Sequence, residues 1–243
     1  MVRTIHLSDL CVNTFDTVFS EMVKKRKYDM KKRAERQRET RRRIVEATVE
    51  LHRTRGPAHT TIKEIAQRAG VNRLTVYNYF PDIADLLRAC SRHWTEQHPA
   101  PDLAPWVEIR DPEERLRTAL AELYGYYART EPMRAKVLRD AETMPALAGL
   151  LEGTVVLYLR SVRELLAEGW EVRGEGRRRL PAMLALAIDF HTWRSLERGS
   201  GLSREEAVEI MLEAVRSSVS GPGSYSRGAW ELPNRGEFPV PEA

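Results

Sequence analysis

Between Thr60 and Pro81 the chain writes two very short helices around a single glycine, and this stretch constrains the fold more than any other. Thr61 is followed three residues later by Glu64, the pattern of a capping box, and Ile62, Ile65, Ala66 and Ala69 give the first short helix one apolar face. Gly70 stops it. Asn72 is a good N-cap for a second helix in which Val76 and Phe80 fall one turn apart, and Pro81 terminates it. Two short helices joined by a three-residue turn containing glycine describe a helix-turn-helix. The apolar residues Ile44, Val45, Thr48 and Leu51 share one face of a preceding helix that ends at Arg55-Gly56-Pro57. Asp82 can cap a following helix with Ile83, Leu86, Leu87 and Cys90 or Ser91 on its inner side.

Charge is distributed unevenly around this motif. Residues 24–95 hold nineteen Lys and Arg against eight Asp and Glu, whereas residues 96–243 hold nineteen against twenty-four. Twelve of the basic residues lie between Lys24 and Arg43. A basic segment joined to a mildly acidic remainder predicts that the first part meets a polyanion and the second does something else. Residues 1–23 show no sustained period and receive no element. After the breaks at Pro99, Pro101 and Pro105, helical patterns run over Asp111–Arg129, Pro132–Glu142, Pro145–Glu168, Arg177–Arg198 and Ser203–Ser218, with Ser203 and Glu206 forming a second capping box. No segment has the period of a strand. The nine uncharged residues from Leu180 to Ile188 fall short of the roughly 18 to 20 that a membrane helix needs. Cys11 and Cys90 make no metal or redox pair, and the first twenty residues lack the pattern of a secretory signal, so a cytoplasmic location is expected.

Catalytic patterns are missing. The G-x-G triplets at Gly174, Gly199 and Gly221 carry Arg179, Arg204 and Ser226 where a dinucleotide fingerprint needs its third glycine. There is no nucleophile elbow, no H-E-x-x-H and no C-x-x-C, and Cys90, His93 and His98 do not complete a metal ligand set. Neither enzyme chemistry nor a cofactor or metal is expected. On the second short helix the core claims Val76 and Phe80, leaving Arg73, Leu74, Thr75 and Asn78 near the start to meet base edges in a major groove. Arg suits guanine, Asn suits adenine, and Leu or Thr suits the thymine methyl. Thr61, Lys63, Tyr77 and Tyr79 are candidates for phosphate oxygens, with packing against the first helix as the plain alternative for the two tyrosines.

Residues from about Arg43 to Leu87 resemble the TetR family of bacterial transcriptional regulators, through Thr60-Thr61-Ile62, Ile65-Ala66, Ala69-Gly70-Val71, Thr75-Val76-Tyr77 and Tyr79-Phe80. The later run Asp189 to Leu196, followed by Gly201-Leu202-Ser203 and Glu206-Ala207, is similar to the C-terminal end of many members. The resemblance implies an all-α homodimer: an N-terminal three-helix DNA-binding domain followed by a helical bundle for ligand binding and dimerisation, its last two long helices forming a four-helix dimer interface. It implies a regulator, in most members a repressor, that leaves an approximately palindromic operator when a small molecule binds. Two departures stand out. Members carry a Lys near the start of the fourth helix where this chain has Asp82-Ile83-Ala84, and Leu74 replaces a residue that is usually small. The basic arm, with Arg33, Arg36, Arg41 and Arg42, is a candidate substitute for the missing phosphate contact; a solvated helix face is the alternative.

The expected organisation is a basic extension over 1–32, a helix-turn-helix domain over 33–81, a ligand and dimer domain over 82–220 and a flexible tail over 221–243. Trp94, Tyr124, Tyr127, Tyr158, Asp189, Phe190 and His191 are the candidate lining for a small apolar or aromatic effector, although such residues at helical spacing also simply fill a core. The expected partners are double-stranded DNA and a second copy, without a membrane. Rival readings are a regulator of the same fold without an effector, and a helical-bundle enzyme or carrier.

Overall fold

The computed structural model describes residues 7–219, with side chains from residue 27 onward except that of residue 29. The expected tail over 221–243 lies outside the described residues. Every regular element among them is helical: α1 Leu7–Thr54, α2 Ile62–Ala69, α3 Arg73–Tyr79, α4 Ile83–Gln97, α5 Ala104–Val107, α6 Pro112–Ala141, α7 Pro145–Leu151, α8 Leu157–Ala167, α9 Gly176–Ala187, α10 Phe190–Arg194 and α11 Arg204–Val219. They form two compact units, one of residues 1–100 and 130–155, the other of residues 101–129 and 156–243. The division of the chain into these units crosses a helix. It passes through α6 between Arg129 and Thr130.

In the first unit, α1 supplies Ile44, Val45, Thr48 and Leu51, all buried, to a core completed by Ile65 and Ala66 of α2, Val76 of α3, Phe80 after it, and Leu86 and Cys90 of α4. Thr48 is tolerated there because its hydroxyl donates to the carbonyl of Ile44 at 2.7 Å. Burial pushes the Cys90 thiol up to about 12, which leaves it an inert core group. No Gly or Pro occurs before Gly56, and α1 accordingly begins at Leu7, where the sequence pattern gave no element before residue 24. Met133, on the part of α6 that belongs to this unit, joins the same core.

Beyond the end of α1, Gly56 takes φ +102°, a conformation that disfavours any residue with a Cβ, and an added Cβ would run into the side chains of Asp140 and Arg139. The Asp140 carboxylate accepts from the Ala58 amide at 2.9 Å and from Arg139 Nε at 2.7 Å. Burial works to raise the Asp140 pKa, but these bonds and the nearby positive charge hold it below the usual value.

Three expectations are corrected between residues 111 and 198. Asp111–Arg129 and Pro132–Glu142 are one helix, α6, with Pro132 inside it. The expected helix from Pro145 forms as a 23-residue helical run, Pro145–Ala167, with a π-helical turn at Glu152–Val156, and, against the expectation of no membrane-length segment, it is by length and composition apolar enough to cross a membrane. Its Val162, Leu165 and Leu166 are buried in the second unit. Arg177–Arg198 breaks at Ile188–Asp189, where Asp189 turns to cap α10, accepting from the amides of His191 at 2.7 Å and Thr192 at 3.2 Å. The Tyr124 hydroxyl donates to the Ala187 carbonyl at 2.8 Å, and that of Tyr127 to Ile188 at 2.6 Å, bonding backbone carbonyls at this break. The capping box at Ser203 and Glu206 forms as expected, with bonds of 2.8 and 3.2 Å.

His52 sits buried in the first unit, and burial lowers its pKa from 6.5 to about 4 against the opposing pull of Asp140. The folded unit therefore keeps His52 neutral while the unfolded chain takes up a proton. Stability is full above pH 6.5 and falls as the pH drops from about 6.5 toward 4, by at most about 3 kcal/mol. Hydrogen-exchange protection of the Ile44, Val45 and Thr48 amides, measured from pH 7 to 4.5, is expected to decline over that window and to flatten in His52→Gln. An unchanged slope in the variant would assign the decline to other groups.

Candidate nucleic-acid interface

The two short helices are held by their ends. At the start of α2, Thr61 Oγ1 accepts from the Glu64 amide at 3.3 Å, and the Thr61 amide donates to Glu64 Oε2 at 3.0 Å. The Thr61 hydroxyl also donates to that carboxylate at 2.8 Å, and Arg55 pairs with Glu64. The bonds from Thr61 to Glu64 hold its carboxyl below the ordinary range. A phosphate reaching Thr61 would have to compete with Glu64 for the hydroxyl proton.

At the other end Gly70 adopts the left-handed conformation with φ +65°, and Val71 donates back to the Ala66 carbonyl at 2.9 Å. Arg43 of α1 closes over this turn: its guanidinium donates to the carbonyl of Ala69 and, at 3.0 Å, to that of Gly70. A Cβ on Gly70 would lie 2.9 Å from the same guanidinium. Asn72 then caps α3, its Oδ1 accepting from the Thr75 amide at 2.7 Å and from the Thr75 hydroxyl at 2.8 Å. Asp82 caps α4 through the Ala84 amide at 3.0 Å. The stretch Asp82-Ile83-Ala84, where the resemblance implies a Lys, thus holds a helix cap.

The expected surface residues separate into two groups. Arg73, Leu74, Tyr77 and Asn78 are all exposed on α3, with Leu74 at 67% and Tyr77 at 51%, and Arg73 and Asn78 make no hydrogen bond or ion pair with any described residue. Lys63 on α2 is also exposed. Thr75 is half-buried with its hydroxyl given to Asn72, and Tyr79 is half-buried against the head core, the packing alternative.

Arg33 and Arg36 on α1 are exposed. Arg41 lies over the Phe80 ring at 4.8 Å, and Arg42 pairs with Glu39 and Glu46, each at 2.8 Å. Arg43 is the residue sequence reasoning missed. Its neighbours on the arm have the same composition, and the only signal is its place directly before buried Ile44.

The candidate effector residues are also divided. Trp94 belongs to the first unit, where it is half-buried and stacks on His98 at 3.8 Å. In the second unit, Tyr127, Phe190 and Trp193 form a buried ring cluster with centroid separations of 5.3 to 5.9 Å. Tyr124 is 6.4 Å from Tyr127, and burial raises its hydroxyl pKa. Tyr158 instead donates to the Pro101 carbonyl at 2.9 Å. His191 is exposed, and Asp189 is occupied as a cap rather than stranded in an apolar helix. No group of three or more His, Cys, Asp or Glu stands in a metal-binding arrangement among the described residues.

Replacing Arg43 by Ala removes two charge-assisted bonds from the turn and is expected to cost about 1.5 kcal/mol of head stability. Arg42→Ala, which removes only exposed ion pairs, should change it by less than about 0.5 kcal/mol. Urea melts followed by hydrogen exchange of the α2 and α3 amides check this, and equal effects of the two substitutions would contradict the assigned role of Arg43.

The profile of the N-terminal region of bacterial regulatory proteins of the tetR family matches residues 44–90. The chain is 36% identical over 93 residues to the HTH-type transcriptional regulator TtgR of Pseudomonas putida, covering 37% of this chain and 44% of that protein, less than half of the relative's length. A regulator encoded in the dhlA 5' region of Xanthobacter autotrophicus is 22% identical over 184 residues, which cover 73% of this chain and 87% of the relative. In fold, the chain is similar to a TetR-like transcriptional regulator from Rhodococcus sp. RHA1, with a TM-score of 0.56 at 18% identity over 75% of this chain and 96% of that one. The helix-turn-helix and that profile coincide over the same residues, which identifies residues 44–90 as an N-terminal domain of the tetR family of bacterial regulatory proteins.

Proposed function

We propose that the protein is a cytoplasmic transcriptional regulator that binds duplex DNA through α3, as a homodimer on an approximately palindromic operator. The observation that carries this reading is the exposed set Arg73, Leu74, Tyr77 and Asn78 on a helix whose ends are fixed by Asn72 and by the Arg43-clamped turn. Arg73 and Asn78 offer bidentate donors and acceptors to guanine and adenine edges, Leu74 offers an apolar contact to a thymine methyl, and Tyr77 and Lys63 reach phosphates. An unpaired guanidinium and a 67% exposed leucine side by side gain nothing for the isolated head. Both gain contacts in a groove. Arg33, Arg36 and Arg41 extend the positive surface along α1 and would replace the phosphate contact that the Asp82 cap gives up.

Repression relieved by a small molecule is the regulatory mode we infer. Its support is the Trp193 indole N–H, fully buried beside Tyr127 and Phe190 without an acceptor. An uncompensated buried donor costs about 1–3 kcal/mol, so a small apolar or aromatic ligand with one acceptor atom has something to gain there. A second copy would cover Leu186 of α9 and Ile210 of α11, which are 50% and 44% exposed on helices that pack together. Ligand binding would then favour a head separation that no longer fits successive major grooves.

Selection of bound fragments from the source genome supplies the operator for the test. On that fragment Arg73→Ala is expected to cost about 1–3 kcal/mol and relax sequence preference, while Lys63→Ala weakens all sequences alike and lowers the salt slope by about one. Small, equal effects of both substitutions on every sequence would refute base reading by α3.

A further inference from the structure

A cleft of about 290 Å3 opens between α1 and α4, walled by Arg38, Arg41 and Arg42 from the first helix and Arg92 from the second. We propose that it is a binding site for a phosphate-bearing anion. Its apolar side is formed by Val45 and Ala89, buried to 4% and 5% exposure, against which long arginine stems can lie while their charged heads stay at the rim.

The charge balance points to what the cleft lacks. Arg42 is already neutralised by Glu39 and Glu46. Arg38, Arg41 and Arg92 form no ion pair with any described carboxylate, and Glu96 is the one carboxylate on the wall. His93 on the same wall is engaged with Gln97 at 3.0 Å. Three guanidiniums thus face one concavity with a single opposing charge, where their mutual repulsion is screened less than on a convex surface.

The spacing explains how they meet: Arg38 and Arg41 are three residues apart on α1, so they share a face, and the burial of Val45 and Ala89 keeps α4 against it. Arg41 is further pinned by its position over Phe80. A planar guanidinium presents parallel donors that match phosphate oxygens, and several converging from two helices exceed what a lone surface arginine offers. The volume lies at the lower edge of small-molecule sites, which suits one or two phosphoryl groups rather than an extended organic ligand.

A phosphate could reach the cleft on a free small anion or on a DNA backbone flanking the operator. The site shares Arg41 with the basic stretch of α1 but contains no residue of α3, so binding of a free anion does not depend on whether α3 enters a groove.

The test uses the full chain, inorganic pyrophosphate as the free anion and a duplex of arbitrary sequence as the backbone source. Calorimetry at low salt is expected to show one pyrophosphate per chain, weakened at least about tenfold in the double variant Arg38→Ala/Arg92→Ala and retained in part by Arg92→Lys. Arg53→Ala, which removes a positive charge elsewhere on α1, is expected to leave the affinity unchanged, and circular dichroism checks that each variant keeps its helices. If pyrophosphate does not bind but the double variant weakens the duplex and lowers its salt slope, the occupant is a backbone phosphate. If pyrophosphate binding alone responds, it is a free anion. No response in either titration, or an equal loss in Arg53→Ala, overturns the site.

Discussion

The bond that the head depends on is the one between Arg43 and the turn at Gly70. A helix of seven residues has little stability of its own, because the cost of nucleating it is spread over very few hydrogen bonds. Its direction is set by whatever holds its first residue. In this chain the carbonyls of Ala69 and Gly70 are fastened to α1 by one guanidinium, the left-handed glycine lets the chain reverse beneath it, and Asn72 starts the next helix two residues later. Val76 and Phe80 anchor the far side of that helix in the core. The residues left outside are therefore fixed in orientation without being used by the fold.

The second unit shows the same economy at a break rather than a turn. Where α9 stops and α10 starts, carbonyls lose their helical donors, and the hydroxyls of Tyr124 and Tyr127 reach those of Ala187 and Ile188. Arg115 plays a comparable part elsewhere in that unit: nearly buried, it donates to the carbonyls of Ile109, Leu165 and Glu168. Of the rings near Trp193, Tyr127 is held by the bond from its hydroxyl, as is Tyr124 beside it, while the Trp193 indole N–H has no acceptor.

Several features were legible in the sequence because their chemistry is local. Both capping boxes, the Asn72 and Asp82 caps and the apolar face of α1 follow from residues within one turn of each other, and each forms as read. Features that depend on distant partners were not. Arg43 is chemically identical to Arg41 and Arg42, and only the position of the Ala69–Gly70 turn separates its role from theirs. The break before Asp189 has no glycine or proline to announce it, so an apolar run reads as one helix until the tyrosines that bond its carbonyls are in place. Pro132 misleads in the opposite sense, since α6 continues through a residue that ordinarily ends a helix. The exposed residues on α3 could be named from periodicity alone, whereas the engagement of Thr75 by Asn72 required the actual geometry.

The central claim is that a short helix, oriented by its cap and by Arg43, offers Arg73 and Asn78 to base edges. Nuclear magnetic resonance of the labelled chain during titration with a genome-selected duplex tests it most directly. If α3 reads base edges, the Asn78 carboxamide and Arg73 guanidinium resonances shift together with the backbone amides of residues 72–78, while the Arg43 signal stays in its free position. Shifts confined to the basic residues of α1, with the Asn78 and Arg73 side chains unmoved, would contradict it.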